Sequence, residues 1–89
     1  MKHFNRTDLT IEWGAGIDER YQITQDSADD CNFVVDDCHY DVGKVVYDMA
    51  SNEFYYDDDV EFVGVLVDNN DDDCQDVEYF CFKRKEMDN

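Results

Sequence analysis

The chain has 89 residues, of which 24 are acidic and 7 basic, giving a formal charge of −17, and 15% are aromatic. That length holds one domain, residues 1–89, with a modest core. Self-repulsion at such a charge opposes compaction, so something other than stability must favour the acidity. Six Phe, six Tyr and one Trp exclude the composition of a disordered chain, because aromatic side chains carry the largest apolar area for burial.

The opening stretch, MKHFNRTDLT, has no apolar run behind its basic residue, and nothing approaches eighteen consecutive apolar residues. The expectation is a cytoplasmic protein without a secretory signal or a membrane span.

In chain order, LTIEW (9–13) and RYQIT (20–24) read as two short strands around a turn in WGAGIDE, where Gly14 and Gly16 punctuate β-branched and aromatic residues. CNFVV (31–35) reads as a third strand. In residues 36–50, Cys38, Val42, Val45, Val46 and Met49 recur at helical spacing, and Asp36 or Asp37 offers an N-cap, which predicts a helix near 37–50. Val, Tyr and Gly are weak helix formers, so KVVYDMASNEFYY is the competing hairpin. EFYYD (53–57) is a further strand. VEFVGVLV (60–67) and VEYFCFKR (77–84) make the strongest strand pair, with DNNDDDCQD as their loop. These elements predict an α+β domain, an antiparallel sheet of about five or six strands with one helix near 37–50 on one face, with an all-β arrangement as the alternative.

Site chemistry is sparse. Cys31, Cys38, Cys74 and Cys81 are spaced C-x6-C in two pairs, too far apart for a zinc knuckle even with His39 beside Cys38, so they read as free thiols, at least two of them in the core. An EF-hand count from Asp68 places Asn70 and Asp72 correctly but puts Asp73 where glycine is needed and Tyr79 where the bidentate glutamate belongs. His3 and His39 stand in no nucleophile arrangement, and no glycine-rich phosphate loop occurs, so neither an enzyme nor a cofactor is expected. A halophilic surface would disperse its charge, whereas here it is clustered.

From 21 to 82 there are 18 acids and the single base Lys44, so that interval alone carries −17. Its runs are DSADD (26–30), VVDDCHYD (34–41), YYDDDVE (55–61) and DNNDDDCQDVE (68–78). Carboxylates two residues apart on a strand lie ~6 to 7 Å apart, comparable to successive phosphates, and aspartate holds its charge close to the backbone.

In size, charge and the aspartate runs at Asp57, Asp58, Asp59, Asp71, Asp72 and Asp73, the chain resembles the DNA-mimic inhibitors made by bacteriophages: anti-CRISPR proteins, anti-restriction proteins and the uracil-DNA glycosylase inhibitor. The resemblance is one of class and fixes no topology. It implies a protein of the bacterial host cytoplasm; the sequence leaves monomer or homodimer open. Such an inhibitor would block the basic DNA-binding groove of a defence or repair complex, a CRISPR effector first and a restriction enzyme next, without touching DNA itself. The expected contact residues are Asp57, Asp58, Asp59, Glu61, Asp68, Asp71, Asp72, Asp73, Asp76 and Glu78, gathered on one half of the molecule, with Tyr55 and Tyr56 adding aromatic area. The competing readings are an acidic module for a basic partner unrelated to DNA, and a divalent-cation protein.

Overall fold

The computed structural model describes residues 1–12, 16–36, 40–70 and 75–85, and of 69, 70, 75 and 76 the backbone alone. Its strands are β1 (Lys2–Asn5), β2 (Phe33–Val35), β3 (Val45–Asp48), β4 (Glu53–Tyr56), β5 (Val60–Asn70) and β6 (Gln75–Arg84); the α-helix among the described residues is α1 (Gln25–Asp29). The strands form two antiparallel sheets ordered β1-β4-β3 and β2-β6-β5. The strand-rich α+β class therefore holds with very little helix, and the expectation of five or six strands in one sheet gives way to two sheets of three.

The helix expected near 37–50 is replaced by β3 and its turns. Val45 is buried, Val46 exposed and Tyr47 half-buried, an alternation of period two, and Met49, the end of the helical stripe, is 57% exposed. Gly43 sits at φ +95°, where its amide donates to Asp41 Oδ1, and this turn breaks any helix before β3 starts. Asp37, Cys38 and His39 lie outside the described residues. β3 and β4 form the hairpin that competed with the helix, and Asn52 takes the left-handed position of its turn at φ 59°.

Among the described residues, 9–12 and 20–24 do not pair as the expected hairpin. Its residues go instead into single-turn 3-10 segments, Arg6–Leu9 and Glu19–Tyr21, leaving one bridge between Thr10 and Ile17. Local polar groups decide this: Asn5 and Asp8 form a reciprocal capping box, and the Asp18 carboxylate accepts from the Arg20 amide. Leu9 and Ile17 then drop into the core.

The core is the space between the sheets. From one side come Phe4, Val45, Tyr47, Phe54 and Tyr56, from the other Phe33, Val35, Val60, Phe62, Val65, Phe80 and Phe82. The rings interlock: Phe54 lies 4.4 Å from Tyr47, 4.7 Å from Phe80 and 5.0 Å from Phe4, while Phe82 lies 5.3 Å from Phe62 and 5.4 Å from Tyr56. Tyr56 is thus a core residue, whereas Tyr55 faces outward beside His3, 5.9 Å away. A bulge between Phe62 and Gly64 resets β5 so that Phe62 and Val65 both pair with inward phenylalanines, while Gly64, Leu66 and Asp68 pair along the outer face.

Outside that second sheet the chain from Tyr21 to α1 crosses β5. The Ile23 amide donates to Val65 O at 3.0 Å, and Gly64 leaves the necessary room. A Cβ at 64 would collide with the Ile23 side chain and lie 2.7 Å from the carbonyl oxygen of Tyr21. Gly64→Ala is therefore expected to lower stability by about 1–3 kcal/mol, and Phe54→Ala, which empties a fully buried site, by about 3–5 kcal/mol. Denaturant unfolding with an unchanged m-value checks both.

Candidate protein-interaction surface

Several acids serve the backbone locally, whatever else their charge does. Asp8 accepts from the Asn5 amide, Asp18 from Arg20, Asp41 from Gly43 and Asp48 from Ala50, each at a turn or helix start where a short carboxylate reaches its own chain. The preference for Asp over Glu, 18 to 6, thus has a local structural cause as well as any functional one.

The expected contact residues fall into two groups. Asp57, Asp58 and Asp59 form the turn that enters β5, with the Val60 amide donating to Asp57 O, and Glu61 follows on the strand. Asp68 lies eight residues beyond Val60, about 25 Å along the strand, and Asp76 and Glu78 stand across from Asn69 and Val67. The two groups occupy opposite ends of the β5–β6 hairpin, not one half of the molecule.

The first group is surrounded by bases. The Lys44 ammonium pairs with Asp59 and lies 3.9 Å from Asp57, and the Met1 ammonium lies 3.6 Å from Asp58. Arg84 and Lys83 stand opposite Val60 and Glu61, and the Lys85 amide donates to Asp59 O. Lys2 sits close enough to Lys85 that the second ammonium pushes its pKa down, with Asp58 and Glu61 opposing. Five of the seven bases meet four acids here, so this end is nearly balanced while the rest of the chain holds the excess negative charge.

The two remaining bases, Arg6 and Arg20, are engaged as well. Arg20 pairs with Asp18 at 3.2 Å. Arg6 pairs with Glu78 across 72 residues of chain, both side chains only about a quarter exposed, with the Arg6 guanidinium 6.0 Å from the Phe80 ring. Glu78 is therefore a structural partner of β1's end more than a free contact residue. Asp68 is exposed and makes no ion pair among the described residues, and Asp26 and Asp30 on and beside α1 are in the same state. The acidic tip of the hairpin, Asp71, Asp72 and Asp73 with Cys74, lies outside the described residues; the loop itself is shorter than expected, since Asp68, Asn69, Asn70, Gln75 and Asp76 belong to the strands.

Of the twelve residues counted from Asp68 as an EF-hand loop, Asp68, Asn69, Asn70 and Gln75 to Tyr79 lie in paired strands, and the other four lie outside the described residues. Among the described residues no three His, Cys, Asp or Glu side chains are placed to hold a metal ion. Cys81 is fully buried and its thiol is pushed up to about 12, chiefly by burial and next by the nearby Cys31; burial likewise raises Cys31. Both are thiols held neutral.

Comparison of the chain with protein-family models, with curated proteins and with solved structures found no match.

Two outcomes are expected. Replacing Glu78 with Gln should cost about 1–3 kcal/mol in thermal or denaturant unfolding, because the half-buried Arg6 loses its counter-charge. The hydrogen bond and charge of Lys44 hold the Asp59 carboxyl below its ordinary value. Its folded pKa being depressed, the stabilisation is present above about pH 4 and is lost as pH falls through the folded value. Carboxyl NMR titration should show Asp59 returning to the ordinary range in Lys44→Met, with a small, salt-sensitive change in stability.

Proposed function

We propose that this protein is a DNA-mimicking inhibitor that occupies the basic nucleic-acid groove of a bacterial defence complex, a CRISPR effector first and a restriction enzyme next. The observation that carries this reading is the separation of charge. Five bases gather at the end where β5 begins, whereas Asp68 and the acids Asp26 and Asp30 on and beside α1 are exposed and make no ion pair among the described residues. A protein acidic only for solubility gains nothing from such polarity, whereas a polar charge distribution orients encounter with a basic surface.

Mechanistically, the inhibitor needs no chemistry. Long-range attraction steers the acidic end toward the groove, and carboxylates there replace phosphates as partners for Lys and Arg. The rigid two-sheet body, unable to thread through the groove as DNA does, then blocks it. Asp68, Asp76 and, by sequence, Asp71, Asp72 and Asp73 form the working set. Asp57, Asp58, Asp59 and Glu61 contribute less because their charge is already offset.

The test is capture of a partner from bacterial lysate at moderate salt with the tagged chain, elution by duplex DNA, and comparison of two variants of similar charge change. Neutralising Asp68, Asp71, Asp72 and Asp73 to Asn should weaken partner binding at least ~10-fold, and neutralising Asp57, Asp58, Asp59 and Glu61 to their amides less than ~3-fold. Equal losses would make the interaction diffuse. A retained partner that ignores DNA would instead identify an acidic module for a basic surface unrelated to nucleic acid.

A further inference from the structure

Between α1 and the outer face of the second sheet lies an open cavity of about 290 Å³. Its floor is made by two adjacent cross-strand pairs, Val34 with Cys81 and Leu66 with Tyr79. One wall is a single face of α1, Gln25, Ala28 and Asp29, and Asp68 closes the end toward the hairpin tip. The pocket is therefore apolar below and carboxylate-rimmed above.

Its only formal charges are the two carboxylates. The Cys81 thiol stays neutral, burial having pushed its pKa up, and no base among the lining residues offsets Asp29 or Asp68. Asp29 Oδ1 accepts from Gln25 Nε2 at 2.9 Å, which leaves Oδ2 without a partner among the described residues, and the Asp68 carboxylate makes no hydrogen bond or ion pair among them. A hard cation is a poor match, since it requires six to eight oxygen ligands and this floor supplies hydrocarbon, a ring and a thiol. A long side chain with an apolar stem and a cationic head matches both halves: methylenes on Val34 and Leu66, head toward Asp29 and Asp68. Arginine matches better than lysine, because its planar fork bonds carboxylates through two nitrogens and stacks on an aromatic ring such as Tyr79. The volume lies at the lower limit of sites that take drug-sized ligands and is ample for one side chain.

We infer that this cavity is an arginine-acceptor pocket: a guanidinium side chain from the partner's basic groove inserts between α1 and the β5–β6 hairpin, its stem on Val34 and Leu66 and its head between Asp29 and Asp68. The class of partner rests on the mimic reading; the pocket's preference for a guanidinium does not. An arginine so placed gives the interface a desolvated anchor, which diffuse attraction between an acidic and a basic surface lacks. It also accounts for α1, which is too short to add much core but supplies one wall of the pocket.

The experiment uses the whole chain, labelled with nitrogen-15, titrated with N-acetyl-arginine amide and in parallel with N-acetyl-citrulline amide, a neutral analogue of nearly the same shape. Saturable shifts at Ala28, Val34, Leu66, Asp68 and Tyr79 with the arginine amide, absent with the citrulline amide, are expected. Asp68→Asn and Asp29→Asn should each weaken binding at least ~3-fold with the thermal transition retained, whereas Asp26→Asn, the same charge change on the same helix away from the pocket, should not. If one pocket variant fails to fold, the other gives the same reading. Shifts spread evenly over the acidic surface, equal response to the citrulline amide, or equal effects of the Asp26 and Asp68 variants would overturn the pocket. DNA displacement of a captured partner reports on mimicry alone, so either proposal can fail without the other.

Discussion

Phe54 and Phe82 hold the two sheets against each other, and the rest of the molecule depends on that contact. A chain with a formal charge of −17 repels itself in any compact form, and α1 with two short 3-10 segments contributes little cohesion of its own. The compensating term is a dense aromatic layer in which Phe54 and Phe82 are fully buried and touch Phe4, Tyr47, Tyr56, Phe62 and Phe80. Rings deliver the most buried area per residue, so a small core of this kind leaves the remaining positions free to be acidic. The phenylalanines of the strands point into this layer, and their charged residues stay outside it.

The acids divide by what they do. One set works within the chain, ending turns and starting 3-10 segments, as Asp8, Asp18, Asp41 and Asp48 do. A second is paired, as Asp59 is with Lys44 and Glu78 with Arg6. A third set, Asp68 with Asp26 and Asp30 on and beside α1, faces solvent without an ion pair among the described residues. Polarity follows from this division, and it gives the proposed mimic a defined leading end. The proposed arginine pocket lies on the outer face of the second sheet, with Asp68 at its end toward the hairpin tip.

β2, β4 and the β5–β6 hairpin were legible because β-branched and aromatic runs are their direct cause, the hairpin most of all, where two long apolar runs flank a charged interval. Residues 37–50 misled because Val42, Val45 and Val46 satisfy a helical stripe and a strand alternation at once; Gly43 at positive φ and the exposure of Met49 settle the choice, and neither is visible in spacing. β1 carries a single inward phenylalanine in KHFN, too little for periodicity to register. The candidate surface was legible as charge and illegible as geometry. Lys2, Lys44 and the Lys83, Arg84 and Lys85 run are far apart in sequence and meet only because β6 ends beside the turn that opens β5. The Arg6–Glu78 pair likewise spans nearly the whole chain.

Mutual exclusion with DNA is the property that separates a mimic from any other acidic binder. The measurement that tests it most directly is the affinity of the purified chain for its captured partner as duplex DNA is raised at constant ionic strength. Direct competition for one groove predicts an apparent Kd that rises in proportion to DNA concentration without levelling off. A plateau, with a ternary complex of partner, DNA and this protein, would place the acidic face elsewhere on the partner and contradict the account.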